Sequence, residues 1–449
     1  MSSVHLADGH QCHLVTPIAV VAVGLVERRT SYAITTSVPS GHARCLMLAA
    51  VLITRLAPTV SSPACARECF TELDVTFANR PRLPSWQFLS MDFSMLATCS
   101  FGPHWRTLRR VAAVQLLSTH RVSCMSGVIS GEVHAMVRRL YRSATASPRI
   151  QLKQRLFELS LSVLMEPIAN TKATRSEADA DTDMSVEAQE FRKVMDDINP
   201  HVGLANLWEY LPVMRWLDVS GIKNKLRAAV TRRDAFLQRL IDAERRKLDD
   251  GGSEDWGKSM IAVMFTLQKK EPNVYTDTMI RGLCTSLFSA GTDTILADIE
   301  WTMSLLLNHP AALKMAHAEI DRCVGTSRLV SAEDLTRLTY LQCIIRETLR
   351  LYPAAPLLLL HQSYADCKIG GHTIPSGTML IVNVYAIHRD SNMWEDPMKF
   401  RPERFEWDLV DSVEVDMTEG GEEFVIHKAV PFEALCKPRA DMYDVLKRL

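Results

Sequence analysis

The stretch from Asp277 to Leu307 constrains the fold more than any other part of the chain. Its apolar residues recur at intervals of three and four, which is the period of one face of an α-helix. Asn308, His309 and Pro310 follow and predict its end, because the residue before a proline is pushed out of the helical region. We therefore expect a chain organised around one long helix.

Shorter helices, polar loops and a few strands are predicted around it. The further helices are expected at Pro63–Phe77, from Gly102 to Arg110, and in two pieces between Ala332 and Leu351 that Pro353 stops. Polar, acidic surface loops are expected at Asn170–Glu187 and Glu244–Lys258. A Gly pair, a Pro-x-Gly and β-forming residues predict a hairpin across Ile369–Gly377 and Thr378–Tyr385. The predicted class is mainly α with a small β portion, that is, α+β.

The composition excludes several classes of protein. Lys and Arg number 51 against 52 Asp and Glu, so no excess of positive charge indicates a nucleic-acid partner. The 11 cysteines are odd in number and include no Cys-x-x-Cys pair. That pattern favours reduced thiols over a disulfide framework or a structural zinc site.

Three short motifs follow one another in the second half of the chain. Ala290–Thr294 reads Ala-Gly-Thr-Asp-Thr, Glu347–Arg350 reads Glu-Thr-Leu-Arg, and Phe400–Phe405 reads Phe-Arg-Pro-Glu-Arg-Phe. At the first motif we expect a local opening of the helix, because Thr can bond the carbonyl four residues back and Gly weakens the helix. The alternative is a kinked core helix with an incidental acid. Each motif alone is weak, but the ordered set resembles the cytochrome P450 family, the haem-thiolate monooxygenases.

The resemblance implies roles for residues of these motifs. Asp293 and Thr294 would relay protons during oxygen activation, a general-acid role. Glu347 and Arg350 stand three apart on one helical face and can pair. With Arg404 they match the family's buried structural triad, in which a planar guanidinium shares a carboxylate.

The resemblance also implies haem as cofactor and names residues that would seat it. Trp105 and Arg109 match the family's Trp-x-x-x-Arg, which holds a haem propionate through an indole N–H and a forked guanidinium. His361 matches a second propionate contact. The alternatives are an amphipathic helix with its arginines in solvent, and an ordinary hydrogen-bonded histidine.

The family's iron-ligand loop, Phe-x-x-Gly-x-Arg-x-Cys-x-Gly, does not occur in this sequence. It normally comes soon after the third motif, but here Glu406 follows Phe405 directly and the only later cysteine is Cys436. No glycine just before Cys436 allows the tight turn that aims amides at the sulfur, and Pro438 interrupts the stretch behind it. We expect Cys436 to end a strand, and no residue is assigned as a metal ligand.

The hypothesis that follows is an internal deletion at 405/406, which removes the ligand loop and the helix behind it. Splicing, genomic deletion or an error in gene prediction would each produce this junction. A transcript read across it tests the hypothesis, and finding the joined form as the major transcript would exclude an error in gene prediction. The expected fold is thus cytochrome P450-like, incomplete at the haem-ligand loop and divergent at the N-terminus.

Two segments are expected in the chain. Residues 1–62 form a divergent N-terminal segment, poorly ordered or a remnant membrane anchor, ahead of a P450-like domain over 63–449. Gln11–Val26 and Cys45–Ile53 fall short of the roughly 20 apolar residues that span a bilayer, so no convincing transmembrane helix is predicted. By resemblance, the chain would lie on the cytosolic face of the endoplasmic reticulum membrane.

The family role is haem-dependent monooxygenation of small apolar substrates, with O2 and electrons from NADPH-cytochrome P450 reductase. Lacking the Cys loop, this chain is expected not to bind haem stably and to be inactive as written. Two alternatives stay open. A substitute such as His361 or Cys436 would hold haem, or a non-enzymatic helical protein would keep the scaffold for binding or interaction.

Overall fold

The computed structural model describes residues 57–146, 149–172, 184–202, 221–250, 259–394 and 396–400, together with the backbone of a strand at 433–435. Arg404, Cys436, the 405/406 junction and residues 1–56 lie outside the described residues. The predictions made for them stay predictions.

Helices dominate the described chain, as the sequence predicts. In chain order they are α1 Pro63–Phe70, α2 Pro84–Leu89, α3 Pro103–Ala112, α4 Thr119–Cys124, α5 Ser126–Ala146, α6 Leu152–Ala169, α7 Val186–Ile198, α8 Ile222–Asp249, α9 Met260–Lys270, α10 Asp277–Asn308, α11 Pro310–Cys323, α12 Thr339–Leu351 and α13 Val384–Ile387. A π-helical turn at Ala113–Leu117 and 3-10 turns at Asn199–His201 and Ala332–Asp334 join some of them.

The β portion is small and lies mostly near the end of the described chain. Its strands are β1 Thr59–Val60, β2 Arg149–Gln151, β3 His361–Gln362, β4 Cys367–Ile369, β5 His372–Ile374, β6 Met379–Val382 and β7 Glu433–Leu435. β6 is the central strand of a three-stranded sheet, parallel to β1 and antiparallel to β3. β4 and β5 form an antiparallel hairpin, and β2 pairs antiparallel with β7. The α+β class is confirmed.

α10 is the centre of the fold and confirms the long helix predicted from apolar periodicity. The Thr276 hydroxyl caps its start by accepting the Met279 N–H at 3.2 Å, and Asp277 places negative charge in the first turn. Most of its residues are buried. It packs against α6 above all, and also against α8, α11 and α12.

An aromatic cluster joins α10 to the helices beside it. The Phe191 ring of α7 has its centroid 5.3 Å from Phe236 of α8 and 5.9 Å from Phe288 of α10. Phe157 of α6 stacks on the same ring at 6.4 Å. Each of these side chains is at most 1% exposed. The cluster therefore fixes α6, α7 and α8 around the first half of α10.

α1 is shorter than the sequence predicts, because polar side chains compete for the backbone beyond Phe70. The Thr71 hydroxyl donates to the Arg67 carbonyl at 2.8 Å, and Asp74 accepts the Val75 N–H at 2.6 Å. Such local bonds offer the chain turns in place of a helix. The prediction of a helix through Phe77 is therefore wrong in its second half.

The predicted strand Thr378–Tyr385 is also wrong in its second half. β6 ends at Val382, and the Asn383 side chain then accepts the Ala386 N–H at 3.0 Å. That cap starts α13 instead of continuing the strand.

Two further boundaries differ from the expectation. α8 runs to Asp249, into the predicted loop, because Glu244 is buried and accepts the Ser259 hydroxyl at 2.7 Å.

At the N-terminal side, β1 pairs with β6 through Thr59 opposite Ile381 and Val60 opposite Val382. The folded unit thus includes residues ahead of the expected boundary at 63.

Candidate functional site

One stripe of α10 is open in the middle of an otherwise buried helix. We call it the α10 stripe; its members fall about one helical turn apart on one face, and they are Ala290, Gly291, Thr294, Ile295 and Asp298. Ala290 and Ile295 are exposed and the others are half-buried. Thr292 and Asp293, on another face, are buried. Ala290 and Ile295 thus leave part of this face uncovered at the centre of a core helix.

Gly291 brings α10 close to α6. A Cβ at this position would lie 2.6 Å from Cδ1 of Leu164, so a larger residue would displace that side chain. The expected opening of the helix here is wrong, because α10 is continuous from Asp277 to Asn308. The Thr294 hydroxyl donates to the Ala290 carbonyl at 2.7 Å, within an unbroken helix.

The Asp293 carboxylate is held on the side of α10 that faces α7. It accepts the Asn199 side-chain N–H at 2.8 Å and lies 3.5 Å from the Arg192 guanidinium. Arg192 also pairs with Asp196 at 2.9 Å and lies 5.0 Å from the centroid of the Phe157 ring. Although Asp293 and Thr294 are neighbours in the chain, their side chains have different partners. Only Thr294 lies in the α10 stripe.

Trp105 and Arg109 lie on one face of α3, which packs against α10. The Arg109 guanidinium is 5.4 Å from the centroid of the Trp105 ring, and the Phe101 ring centroid is also 5.4 Å from that indole. Trp105 packs against the main hydrophobic core, whereas Arg109 is exposed. The indole thus fixes a guanidinium whose N–H groups are left available to an anion.

His361 of β3 is set between the N-terminal turns and the sheet. Its Nδ1 lies 2.6 Å from the Phe77 carbonyl oxygen, and its ring meets the Phe70 ring edge-on at 5.4 Å. Burial, and then the nearby Arg80 guanidinium, lower the pKa of His361 to about 4. The imidazole is therefore neutral near pH 7. Arg80 itself donates to the Leu360 carbonyl at 2.7 Å.

Glu347 and Arg350 form a two-pronged ion pair on α12. Nε and Nη2 of Arg350 donate to the two carboxylate oxygens of Glu347 at 2.8 and 2.7 Å. The same guanidinium donates to the carbonyls of His388 at 2.9 Å and Pro397 at 2.7 Å. It is almost fully buried, so it ties α12 to the segment that leads towards residue 400. Arg404, the predicted third member, lies outside the described residues.

Four of the described cysteines, Cys69, Cys99, Cys284 and Cys367, are poor candidates for a thiolate ligand. Burial is the first cause that raises the pKa of Cys69 and Cys284 to about 12 and that of Cys99 to about 11. The pKa of Cys367, on β4, is raised by burial and then by the Asp366 and Glu68 carboxylates. A metal-binding thiolate needs the opposite environment. Within the described ranges, no group of three or more His, Cys, Asp or Glu side chains is arranged to hold a metal ion.

Solved structures with the same fold identify its class. The chain superposes on a zebra fish cytochrome P450 solved with progesterone, with a TM-score of 0.69 and 19% identity, over 93% of this chain and 99% of the other. A second zebra fish cytochrome P450, solved with abiraterone, gives a TM-score of 0.67 and 18% identity over 93% of this chain and 100% of the other. At such identities the likeness shows the fold alone.

The family follows from the sequence comparisons. The family model described as Cytochrome P450 matches residues 49–414, so the chain belongs to the cytochrome P450 family. Cytochrome P450 81Q32 of Catharanthus roseus is 36% identical over 87% of this chain and 84% of its own length.

Two further plant relatives carry names that describe reactions. The isoflavone 2'-hydroxylase of Glycyrrhiza echinata is 34% identical over 88% of this chain and 85% of its own length. The isoflavone 3'-hydroxylase of Medicago truncatula is 38% identical over 78% and 70%. The predicted family membership is confirmed.

The described residues include candidates for contacts with the haem propionates, whereas none of them is assigned as the ligand of the iron. Trp105 and Arg109 present donors suited to a carboxylate, on a helix that packs against α10. Burial opposes a thiolate at Cys69, Cys99, Cys284 and Cys367, and the sequence lacks the family's ligand loop. These four cysteines therefore do not fit a haem held through sulfur.

Several residues of the site could not be recognised in the sequence. Arg192, Asn199 and Arg80 stand in no motif, and their partners lie roughly 100 or more residues away. One local signal was available for Asp298, which follows Thr294 by one helical turn and is the one charged member of the α10 stripe.

Proposed function

We propose that this chain, as its 449 residues stand, is a member of the cytochrome P450 family that does not catalyse haem-thiolate monooxygenation. It keeps a cleft along α10 that accepts small, largely apolar molecules. The observation that carries the proposal is the absence of the family's cysteine loop from the sequence. The open α10 stripe supports the retained cleft.

The rest of the family's apparatus is kept in this proposal. Thr294 presents its hydroxyl in the α10 stripe, while Asn199 and Arg192 hold the Asp293 carboxylate behind it. Trp105, Arg109 and His361 are the residues proposed to have evolved for haem propionates. Glu347 and Arg350, together with Arg404, would fasten α12 to the region where the ligand loop belongs.

Replacement ligands for iron are less well supported. Nδ1 of His361 is engaged by the Phe77 carbonyl at 2.6 Å, and burial keeps the imidazole neutral. Burial, and then the Asp366 and Glu68 carboxylates, raise the pKa of Cys367 and oppose its ionisation. Cys436 lies outside the described residues, in a sequence setting without the glycine and arginine of the family loop.

Partners and location follow from the family in this proposal. NADPH-cytochrome P450 reductase is the electron donor of the complete form, and the cytosolic face of the endoplasmic reticulum membrane is its place. In the part of the chain that the structure describes, no helix is both long and apolar enough to cross a membrane.

Haem reconstitution tests the proposal. The 449-residue chain is purified, mixed with haem, reduced with dithionite and exposed to CO. The matched control carries, between Phe405 and Glu406, the ligand loop and following helix of the Glycyrrhiza echinata isoflavone 2'-hydroxylase. We expect the Soret band of a thiolate-bound haem from the control and not from the original chain.

Three results would contradict the proposal. A thiolate-type band from the original chain would show that Cys436 or another cysteine binds iron. A histidine-type band that His361→Ala abolishes would show substitution by the imidazole. NADPH-dependent oxidation of any substrate, with reductase added, would exclude an inactive chain. The retained cleft is tested separately, by the rise in melting temperature that small apolar compounds cause without haem.

A further inference from the structure

Asp298 is the one ionisable side chain of the α10 stripe. It follows Thr294 by four residues, so the two side chains lie one above the other along the same face. Thr302, one turn further on, has its hydroxyl 3.1 Å from that of Thr348 on α12. Asp298 therefore lies where the cleft approaches α12, beyond the exposed Ala290 and Ile295.

The Asp298 carboxylate has no partner among the residues that the structure describes. Its Oδ1 is shielded from solvent and accepts no hydrogen bond from them. Burial alone raises the pKa of Asp298 to about 6, with no contribution from a neighbouring charge. A buried carboxylate without a donor is costly, and such groups in a cleft are candidates for ligand binding.

Several charged groups on α10, on α12 and beyond α13 have partners other than Asp298. On α12, Arg350 pairs with Glu347. Beyond α13, the Arg389 guanidinium stacks on the Tyr385 ring at 3.5 Å. Burial lowers the pKa of His388, so that imidazole is neutral near pH 7. On α10 itself, Asp293 is held by Asn199 and Arg192.

We propose that Asp298 is the anchor for a protonated amine on ligands of the α10 cleft, so that the preferred ligand is a small apolar molecule carrying one ammonium group. The inference rests on the proposed function, because it needs the cleft to accept ligands. The inference goes beyond the proposed function by naming the chemical class of ligand that the cleft selects.

The chemistry of the stripe matches both ends of such a ligand. Ile295 and Ala290 offer apolar contact surface, while an ammonium group donates hydrogen bonds that the Asp298 oxygens can accept. Hydrogen bonds between charged groups are about twice as strong as neutral ones, and more so away from water. A neutral alcohol of the same shape would lack the charge and gain only an ordinary hydrogen bond.

A matched pair of probes tests the proposal on the full chain without added haem. Calorimetry measures the binding of 4-phenylbutylamine and of 4-phenylbutanol at pH 7.5. We expect the amine to bind about tenfold more tightly than the alcohol. Asp298→Asn should remove that preference. The control Asp197→Asn, at an exposed carboxylate of α7, should leave it unchanged.

The pH dependence of amine binding is a second test of Asp298 as the anchor. Lowering the pH from 7.5 to 5 protonates Asp298, whose pKa is about 6, and should weaken the amine while the alcohol stays constant. An amine preference that survives in Asp298→Asn would overturn the proposal, as would equal binding of amine and alcohol by the unmodified chain.

Failure of this inference and failure of the proposed function give different results. If the alcohol binds and the amine gains nothing, the cleft exists and only the anchor is wrong. If neither compound binds any variant, both the anchor and the retained cleft are wrong. The haem test above is independent of either result.

Discussion

Asp293 and Asp298 lie five residues apart on two faces of α10, and the surroundings of their carboxylates differ. On the face towards α7, Asp293 is 2% exposed and has both an amide and a guanidinium as partners. On the α10 stripe, Asp298 has no partner among the described residues, and burial raises its pKa to about 6. The same residue type on one helix is thus structural on one side and unsatisfied on the other.

The two carboxylates contribute differently to the stability of the fold. A paired, buried carboxylate fixes the α7–α10 contact, and removing it would leave the Asn199 amide without its acceptor and Arg192 with Asp196 alone. An unpaired buried carboxylate destabilises the folded state, because no hydrogen bond within the protein replaces its lost hydration. Sites that keep such a cost commonly keep it for binding or catalysis. The contrast can be measured by substitutions on each face.

The largest effect is expected from Asp293→Ala, which should destabilise the protein by about 2–4 kcal/mol. The substitution leaves the Asn199 amide without its acceptor and removes one of two carboxylates around Arg192. Chemical denaturation measures the loss. The control is Asp196→Ala, since Asp196 binds the same Arg192 but is 56% exposed and should cost at most about 1 kcal/mol. Equal losses of unfolding free energy in Asp293→Ala and Asp196→Ala would show that the buried carboxylate contributes no more than the exposed one.

Asp298→Asn should have the opposite sign. The pKa of Asp298 rises from 3.8 to about 6 on folding, so the folded state binds the proton more tightly than the unfolded chain does. Ionisation therefore costs stability progressively as the pH rises from about 4 to above 6, and the cost approaches about 3 kcal/mol near pH 7.5. Asparagine removes this cost.

Denaturation curves at several pH values check that prediction. The variant should match the unmodified protein below pH 4 and exceed it increasingly towards pH 7.5. A variant that is less stable at pH 7.5, or a difference that does not change with pH, would show that Asp298 is satisfied in the folded protein.

The smallest effect is expected at Gly291, a member of the α10 stripe that lies close to Leu164 of α6. In an open helical position such as Gly131, where a Cβ would have no atom within 4 Å, Gly→Ala should stabilise by about 1 kcal/mol. At Gly291 the new methyl meets Leu164, and the resulting strain of about 1–2 kcal/mol should cancel or reverse that gain. Melting temperatures of Gly291→Ala and Gly131→Ala measure the difference. Adding Leu164→Ala should make Gly291→Ala favourable relative to that background.

What the sequence could predict was local. The bounds of α10 follow from its apolar period and from the proline after it, and the pairing of Glu347 with Arg350 follows from their spacing. The hairpin turn follows from Gly370 and Gly371, whose φ angles of 54° and 84° suit glycine. In each case the physical cause lies within a few residues.

What it could not predict depends on tertiary contacts. Asn199 lies 94 residues from Asp293, and no pattern in the chain states that α7 will meet α10 there. Leu164 and Gly291 meet only after α6 has docked. The open stripe was also hidden, because periodicity marks which face of a helix is apolar and does not say which part of that face is left uncovered.

The placement of β1 has a consequence for biosynthesis. Because Thr59 and Val60 pair with β6, an early piece of the nascent polypeptide must wait, unpaired, until more than three hundred further residues have been translated. Contacts so distant along the chain form late and slowly, and an exposed strand is prone to aggregate meanwhile. Ribosome-bound intermediates of this protein are therefore expected to need chaperones until the sheet can close.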